Sequence, residues 1–248
     1  MRRRFLALFL PPTLWLAAFM LVPTALVAAA AFSPDGFATL KDPLTLRMLG
    51  RSTWIALAAT ALCLAAGYPV AYFIAGCSPG RRNLLLFLVV LPFWTNLLVR
   101  TYALMFVLRP LEIESKVSLV VFALFHGYLP FMVLPLYASI EKLPRRLLEA
   151  SQDLGASPAA TFWKVTVPLT MPGIAAGCIL VFIPVLGAFA IPEVISGGTV
   201  QLIGNQIDLH FGTTNTPAAG AMLTLVLMAA TLLLTGLYFR SRKTEGLV

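Results

Sequence analysis

Few residues in this chain are of a type that could bind a ligand, and those few lie within or beside long apolar segments. Arg100 is the only basic residue inside a predicted span, and Glu193 lies near the end of another. Carboxylates and aromatic faces are suitable contacts for a cation. The candidate residues for a substrate pathway are an acidic, an amide and several aromatic side chains, together with this arginine. They are Trp94, Asn96, Arg100, Tyr102, Phe189 and Glu193.

Arg100 leaves two interpretations open. An unpaired arginine in hydrocarbon is expensive, so a structural role is expected, either in an ion pair with an acid of the bundle or with the side chain extended to the outer interface. The alternative places Arg100 on a pathway through the membrane.

Motifs for catalysis are missing from the sequence. There is no Walker-type phosphate-binding loop, no Gly-x-Ser-x-Gly, no His-Glu-x-x-His and no pair of carboxylates on one predicted helix face. Cys63, Cys77 and Cys178 are scattered, and no Cys/His spacing fits a metal site. We therefore predict no catalytic residue, no metal ligand and no cofactor held by this chain itself.

The composition indicates the environment that surrounds these residues. Of the 248 residues, 59% are hydrophobic and 11% are charged, whereas soluble domains carry about 25% charged residues. Lipid is the expected solvent. The net charge of +8 comes from basic residues that lie between apolar runs, a pattern typical of membrane topology rather than of a nucleic-acid-binding face.

The apolar segments are each close to the roughly 20 residues that cross a bilayer as a helix. Their approximate limits are 11–32, 53–76, 84–108, 118–138, 173–195 and 217–239. The first follows three arginines, as in a signal peptide, but it is long and lacks a small-residue cleavage site. We predict a retained first helix and six spans.

Basic residues predict the orientation of these spans. A cytoplasmic N-terminus places twelve of them in inside segments and five, namely Lys41, Arg47, Arg51, Arg109 and Lys116, in outside segments. This bias follows the positive-inside rule, so both termini are predicted to be cytoplasmic. The twelve are Arg2, Arg3, Arg4, Arg81, Arg82, Lys142, Arg145, Arg146, Lys164, Arg240, Arg242 and Lys243.

The longest inside loop, residues 139–172, predicts two short helices that meet at a sharp turn. Pro144 suits the first turn of one helix, and Gly155 is placed to end that helix with a positive φ. Ser157 can cap a second helix that begins at Pro158, and Pro168 is expected to end it. Periodicity alone leaves two alternatives open, an amphipathic connector in the membrane interface or an element that docks into a partner.

The spacing of this loop resembles that of bacterial ABC importer permeases, which carry Glu-Ala-Ala, three residues, Gly, nine residues and Ile-x-Leu-Pro. Here Glu149-Ala150-Ser151 precedes Gly155 by the same interval, and Val165-Thr166-Val167-Pro168 follows at the expected distance. The resemblance implies a coupling helix that sits in a cleft of an ATP-hydrolysing subunit. The residues expected to contact that subunit are Glu149, Ala150, Ser151, Leu154, Gly155, Ala156, Ser157 and Pro168.

Three further segments, Pro92–Tyr102, Leu129–Tyr137 and Phe189–Gly198, resemble the spermidine/putrescine-type permeases of this family. The chain departs from that group in two places. The outside loop 109–117 is short, and Ala188 stands where many members have an acidic residue. Both departures lie on or near the outer face.

The resemblance implies an all-α membrane protein with six transmembrane helices, the type I ABC importer transmembrane-domain fold and cytoplasmic termini. Residues 1–46 form the N-terminal helix and first periplasmic loop in this interpretation. Residues 47–240 form the ABC transmembrane type-1 domain, which contains the loop 139–172. Residues 241–248 form a cytoplasmic tail.

The implied partners are a second permease subunit in a heterodimer, two ATP-binding subunits that hold ATP and Mg²⁺, and an extracytoplasmic solute-binding protein. The implied location is the bacterial inner membrane. The implied cargo is a polyamine, and an amino-acid-like compound, a phosphonate or iron is the alternative. A secondary transporter would be expected to show paired ionisable residues in its spans or an inverted repeat, and neither is visible.

Overall fold

The computed structural model describes the backbone of residues 2–111 and 113–245 and the side chains of residues 10–110, 113–144 and 146–240. Regular structure in those ranges is helical, with no strand, so the prediction of an all-α protein is confirmed. Some sequence predictions lie outside this description. They are Glu112 of the loop 109–117, the side chains of Arg2, Arg3, Arg4, Arg145, Arg242 and Lys243, and the side chains of the tail 241–248.

The helices follow one another with short connections. They are α1 Arg2–Ala31, α2 Pro34–Lys41, α3 Pro43–Gly76, α4 Pro79–Val90, α5 Leu97–Leu108, α6 Lys116–Glu141, α7 Arg145–Asp153, α8 Pro158–Thr161, α9 Val167–Leu169, α10 Met171–Leu186, α11 Ala190–Ser196, α12 Ile203–Gly212 and α13 Pro217–Glu245. A 3₁₀ turn, Leu91–Trp94, follows α4, and a π-helical segment, Phe162–Thr166, joins α8 to α9.

The chain divides into two compact units, and the first consists of Met1–Arg47 and Gln206–Ala230. Its buried core contains Ala31 of α1 with Ala221 and Met222 of α13. Gly36 of α2 lies against the carbonyl of Ala31, where a Cβ would collide with the carbonyl oxygen. Small residues therefore allow close approach of helices in this unit, as is usual in membrane bundles.

The second unit consists of Met48–Asn205 and Thr231–Val248. Its most extensive helix pair is α6 with α10. A Cβ on Gly177 would lie 2.6 Å from Sδ of Met132, and a Cβ on Gly173 would collide with Ser139. The two glycines, one helical turn apart, form a tight seam along α6.

Within the described residues, four continuous helices are long and apolar enough to cross a membrane. They are Leu10–Ala31, Pro43–Gly76, Lys116–Glu141 and Pro217–Arg240. Large apolar side chains also lie on the surface, including Trp94 with 74% and Phe106 with 79% of their areas exposed. Such surfaces require lipid or a partner as their neighbour.

Segments 84–108 and 173–195 are each predicted as one continuous span, and the structure corrects both predictions. The first is broken at Thr95, and the helices on either side, Pro79–Trp94 and Leu97–Leu108, are bent by 97°. The second ends as a helix at Leu186, and α11 begins again at Ala190. An apolar run favours burial in hydrocarbon but does not require a straight helix, provided that the freed backbone groups find partners.

Candidate functional site

The loop 139–172 has the two-helix form predicted for it. Helix α7 ends at Asp153, and Gly155 has a φ of +86°, in the left-handed region that favours glycine. The side chain of Ser157 accepts a hydrogen bond from the amide of Ala160 at 3.2 Å, with Pro158 at the first position of α8. The predicted glycine turn and serine cap are therefore confirmed.

Two prolines of the loop differ from their predicted positions. Pro144 is the N-cap of α7 instead of lying in its first turn. Pro168 does not end the second helix, because the π-helical segment continues directly into α9, which contains Pro168. The chain instead bends at Thr170, where Pro158–Leu169 and Met171–Leu186 meet at 65°.

Most of the predicted coupling residues are accessible. Leu154 is 89% exposed. Ser151 and Ala156 are half-buried, and the Ser151 hydroxyl lies 3.1 Å from that of Thr161, which joins α7 to α8. The exposed members of the set are Glu149, Ala150, Leu154, Gly155, Ser157 and Pro168.

Glu149 lines a cavity of about 580 Å³ between α7 and the ends of α3 and α6. Tyr72 and Gln152 line the same cavity. Arg82 and Glu141 line it as well. Nη1 of Arg82 lies 2.5 Å from Oε1 of Glu141, and this ion pair joins α4 to the end of α6. The loop therefore stands beside a polar recess of the membrane bundle.

Arg100 is bound to the break in the third segment. Its Nη1 donates to the carbonyl of Pro92 at 3.2 Å, and its guanidinium lies 5.6 Å from the centre of the Phe93 ring. Among the side chains that the structure describes, no carboxylate forms an ion pair with it. The expected pairing with an acid is thus replaced by a freed backbone carbonyl and an aromatic face, which satisfy the cation in a half-buried site.

Asn96 is a helix cap, since its side chain accepts a hydrogen bond from the amide of Leu98 at 2.8 Å at the start of α5. The nearby rings of Trp94 and Tyr102 are 74% and 55% exposed. Four of the predicted contacts, Trp94, Asn96, Arg100 and Tyr102, therefore surround one helix break.

The other two candidates lie at the second break. Phe189 precedes α11 and is half-exposed, and Glu193 is exposed in the first turn of that helix. The two breaks approach each other at Gly127 of α6, where a Cβ would lie 3.5 Å from Cδ1 of Ile191 and 3.7 Å from Nη2 of Arg100. The structure thus brings the elements that carry both sets of candidates together on α6.

Asn205 holds Glu193 in place, and sequence reasoning missed it. Its Nδ2 donates to Oε2 of Glu193 at 3.0 Å and to the carbonyl of Phe189 at 3.1 Å, while its Oδ1 accepts from the amide of Leu202 at 3.1 Å. Asn205 is buried, whereas the carboxylate that it holds is exposed. No motif marks it, although an amide among apolar residues is a signal that a buried hydrogen-bond network needs it.

The family model of the binding-protein-dependent transport system inner membrane component matches residues 67–243. The chain belongs to this family. It is 38% identical to the spermidine/putrescine transport system permease protein PotB of Escherichia coli (strain K12), over 92% of this chain and 94% of that protein. The PotB protein of Salmonella typhimurium (strain LT2) is also 38% identical, with 92% and 90% covered.

Solved structures agree with this family in fold. A bacterial ABC transporter involved in the import of the acidic polysaccharide alginate matches with a TM-score of 0.72, 16% identity and 96% of each chain covered. The MetNI methionine ABC transporter in an inward-facing conformation matches with a TM-score of 0.63, 16% identity and coverage of 80% of this chain and 94% of that one. At this identity the likeness concerns the fold alone.

The prediction of an ABC importer permease subunit is therefore confirmed, as is the likeness to the spermidine/putrescine-type permeases. This permease is a multi-pass protein of the bacterial inner membrane and a component of a multi-subunit transport system. The roles of the individual loop and pathway residues remain predictions.

Proposed function

We propose that this permease is one of two transmembrane subunits of an ATP-driven importer that moves a polyamine, such as spermidine or putrescine, into the cell. The observation that carries the proposal is the 38% identity with PotB, which extends over 92% of this chain. The complex contains a second permease, two ATP-binding subunits and an extracytoplasmic protein that delivers the cargo. ATP and Mg²⁺ bind to the partner subunits, since this chain has no phosphate-binding loop.

Six spans cross the membrane in this proposal, and both termini are cytoplasmic. Four of the spans are the continuous helices. The other two are the bent segment Pro79–Leu108, which is third in chain order, and a span built around α10, which is fifth. Helix α10 has 16 residues, which is about 24 Å at 1.5 Å per residue, so the segments that flank it complete the crossing. The positive-inside bias supports this orientation.

The turn at Gly155 docks into a groove of an ATP-binding subunit. Leu154 supports this role, because an apolar side chain with 89% exposure at a polar surface gains free energy when a partner covers it. The adjoining Glu149 and Ala150 are exposed on α7 and complete the docking surface. Closure of the ATP-binding subunits then displaces the loop and reorients the spans.

The cargo contacts the region of the two helix breaks. Glu193 offers a carboxylate and Phe189 an aromatic face, which together suit an ammonium group. Trp94 and Tyr102 offer further aromatic surface at the first break. An amine cargo would bind there through charge attraction and cation–π contacts.

The experiment that tests the cargo is uptake by the complete complex in proteoliposomes. The permease pair, its ATP-binding subunits and its cognate binding protein are reconstituted, and entry of labelled spermidine is followed with and without ATP. We expect ATP-dependent uptake that unlabelled putrescine inhibits. A binding protein that carries an amino-acid-like compound or a phosphonate, with no spermidine uptake, would show that the polyamine assignment is wrong.

The coupling role is tested with Glu149→Lys in the same complex. We expect normal insertion and amount of the permease, and loss of ATP-dependent uptake, because the added cation opposes docking. Glu149→Asp keeps the charge and is expected to retain most of the uptake. Equal uptake by the wild type and by Glu149→Lys would remove Glu149 from the docking surface.

A further inference from the structure

A buried hydrogen bond joins α3 to the bend that ends the coupling loop. The hydroxyl of Tyr68 lies 2.8 Å from Oγ1 of Thr170, although the two residues are 102 positions apart in the chain. Tyr68 is 8% exposed and Thr170 is fully buried. Thr170 is the residue at which Pro158–Leu169 and Met171–Leu186 meet at 65°.

The donor in this hydrogen bond follows from the neighbours of Thr170. Its Oγ1 lies 2.9 Å from the carbonyl of Thr166 and 3.1 Å from that of Val167, and carbonyls only accept. The single proton of the threonine hydroxyl is therefore directed to its own helix. Tyr68 donates its proton to Thr170, and each hydroxyl of the pair has a partner.

An aromatic contact reinforces this link at the start of the π-helical segment. The ring of Phe162 meets Tyr68 edge-on with centroids 5.4 Å apart, and meets Tyr72 in the same way at 5.9 Å. Thr161, one residue before, is the residue whose hydroxyl reaches Ser151 of α7. Two side-chain contacts, joined by the peptide bond between Thr161 and Phe162, thus link the predicted docking helix α7 to the membrane helix α3.

These contacts are located where the chain is able to change its geometry. Phe162–Thr166 is π-helical, and π-helical turns are frequent at functional sites. The bend at Thr170 follows directly. A contact between two straight helices would only hold them together. A contact at the bend also affects how a displacement of the loop before Thr170 is transmitted to the helix after it.

We propose that Tyr68 is a positioning residue of the transport step: its hydrogen bond to Thr170 and its ring contact with Phe162 make the cytoplasmic part of α3 follow the coupling loop. This role rests on the proposed coupling of the loop to ATP-binding subunits. It does not depend on the identity of the cargo. Tyr68 acts through Thr170 and Phe162 and needs no contact with cargo or nucleotide.

The first experiment measures uptake per ATP hydrolysed by the reconstituted complex, with spermidine as the probe. The variants are Tyr68→Phe, Thr170→Val and the double variant. Tyr72→Phe is the matched control, because it removes a hydroxyl from the neighbouring tyrosine that contacts the same phenylalanine ring. We expect uptake per ATP to fall about fivefold or more in both single variants, within the usual range for coupling between sites, and to stay unchanged in the control.

The double variant separates a shared role from two independent ones. If the hydroxyls act only through each other, removing both costs no more than removing one. A purely structural role would lower the amount or thermal stability of the complex and leave uptake per ATP unchanged. Uptake per ATP equal to that of the wild type in Tyr68→Phe and Thr170→Val would overturn the proposal.

The second experiment needs no cargo and therefore separates this proposal from the polyamine assignment. Spin labels are placed at Ser78, after the end of α3, and at Ala159 of the loop, both exposed, with Cys63, Cys77 and Cys178 replaced. Distances are measured in the full complex before and after nucleotide closes the ATP-binding subunits. In the wild type and in Tyr72→Phe we expect a single distance population that closure leaves unchanged. In Tyr68→Phe we expect this population to shift or broaden after closure.

The outcomes of the two experiments are distinct. Absence of spermidine uptake by the wild type contradicts the proposed cargo, and the spin-label distances still decide the role of Tyr68. A distance distribution in Tyr68→Phe that matches the wild type before and after closure would overturn that role.

Discussion

The amide of Asn205 donates a 3.0 Å hydrogen bond to Oε2 of Glu193, so that a buried neutral residue orients an exposed carboxylate. An arginine or lysine in this position would orient the same group but would also neutralise it. A neutral donor leaves the negative charge available to a cation. The arrangement therefore fits a carboxylate that is prepared for a ligand better than one that closes a salt bridge.

Replacement of Asn205 by leucine is expected to weaken transport through Glu193. Removal of one hydrogen bond to a charged group costs about 1.5–3 kcal/mol, so we expect the KM for spermidine uptake to rise about tenfold or more. Glu193→Gln should have a similar effect. Initial uptake rates at several spermidine concentrations give the KM of each variant.

The double variant provides the control, because Asn205 also binds Leu202 and Phe189. If its effect on transport is exerted through Glu193, Asn205→Leu adds little to Glu193→Gln. Fully additive effects would show that Asn205 acts through the local fold instead.

Gly155 allows a prediction about the backbone conformation of the loop. No atom lies within 4 Å of the site of a Cβ on Gly155, yet its φ is +86°, and a β-branched residue there costs about 1–2 kcal/mol or more. Gly155→Val is expected to abolish most ATP-dependent uptake while insertion stays normal. Gly155→Asn, which tolerates this region, should retain much more.

Gly80→Val is the matched control for this substitution, since Gly80 also faces open space but lies in a right-handed helix. Equal uptake by Gly155→Val and Gly80→Val would show that the left-handed turn is not required.

Arg100 is expected to stabilise the bent third segment. Arg100→Gln removes the hydrogen bond to the Pro92 carbonyl and the contact with Phe93. We expect a loss of about 1–3 kcal/mol, seen as a lower Tm of the purified complex in detergent. Arg100→Lys keeps the positive charge but loses the planar guanidinium group, so its Tm should lie between those of the wild type and Arg100→Gln.

Arg109→Gln, which changes an exposed arginine at the end of α5, should leave the Tm nearly unchanged. If Arg100→Gln also leaves the Tm unchanged and impairs only uptake, the pathway interpretation of Arg100 is the better one.

Because α6 and α10 are so closely packed, we expect one added methyl group between them to lower the stability of the protein severely. The Cβ in Gly177→Ala would lie 2.6 Å from Sδ of Met132, which is fully buried and has little room to move. Overpacking of this kind costs about 1–3 kcal/mol. We expect a lower Tm for Gly177→Ala and no comparable change for Gly187→Ala, where no atom lies within 4 Å.

Length and apolar character predicted the continuous membrane helices because those helices follow the apolar runs. Lys116–Glu141 and Pro217–Arg240 lie within a few residues of the predictions. Pro43–Gly76 begins before the apolar run, since a helix continues into residues such as Arg47 that need not be in hydrocarbon. The breaks at Thr95 and after Leu186 were not predicted, because freed backbone carbonyls there are bound by side chains distant in the chain or across the break, Arg100 at Pro92 and Asn205 at Phe189.

The conformation of the loop 139–172 was largely predictable because its signals are local. Gly155, Ser157 and Pro158 each determine the conformation of their own immediate backbone. The bond between Asn205 and Glu193 was not predictable, because it depends on a chain reversal through Gly197 and Gly198, with φ of +63° and +78°. Tyr68 and Thr170 were missed for the same reason, since their contact is determined by tertiary packing.

The seam formed by Gly173 and Gly177 has a consequence for how force enters the bundle. The coupling loop leaves α6 and returns to α10, and these two helices are in contact too close to slide past each other without separating. Both anchors of the loop therefore belong to one closely packed pair of helices. We expect a displacement of the loop to move α6 and α10 together rather than apart.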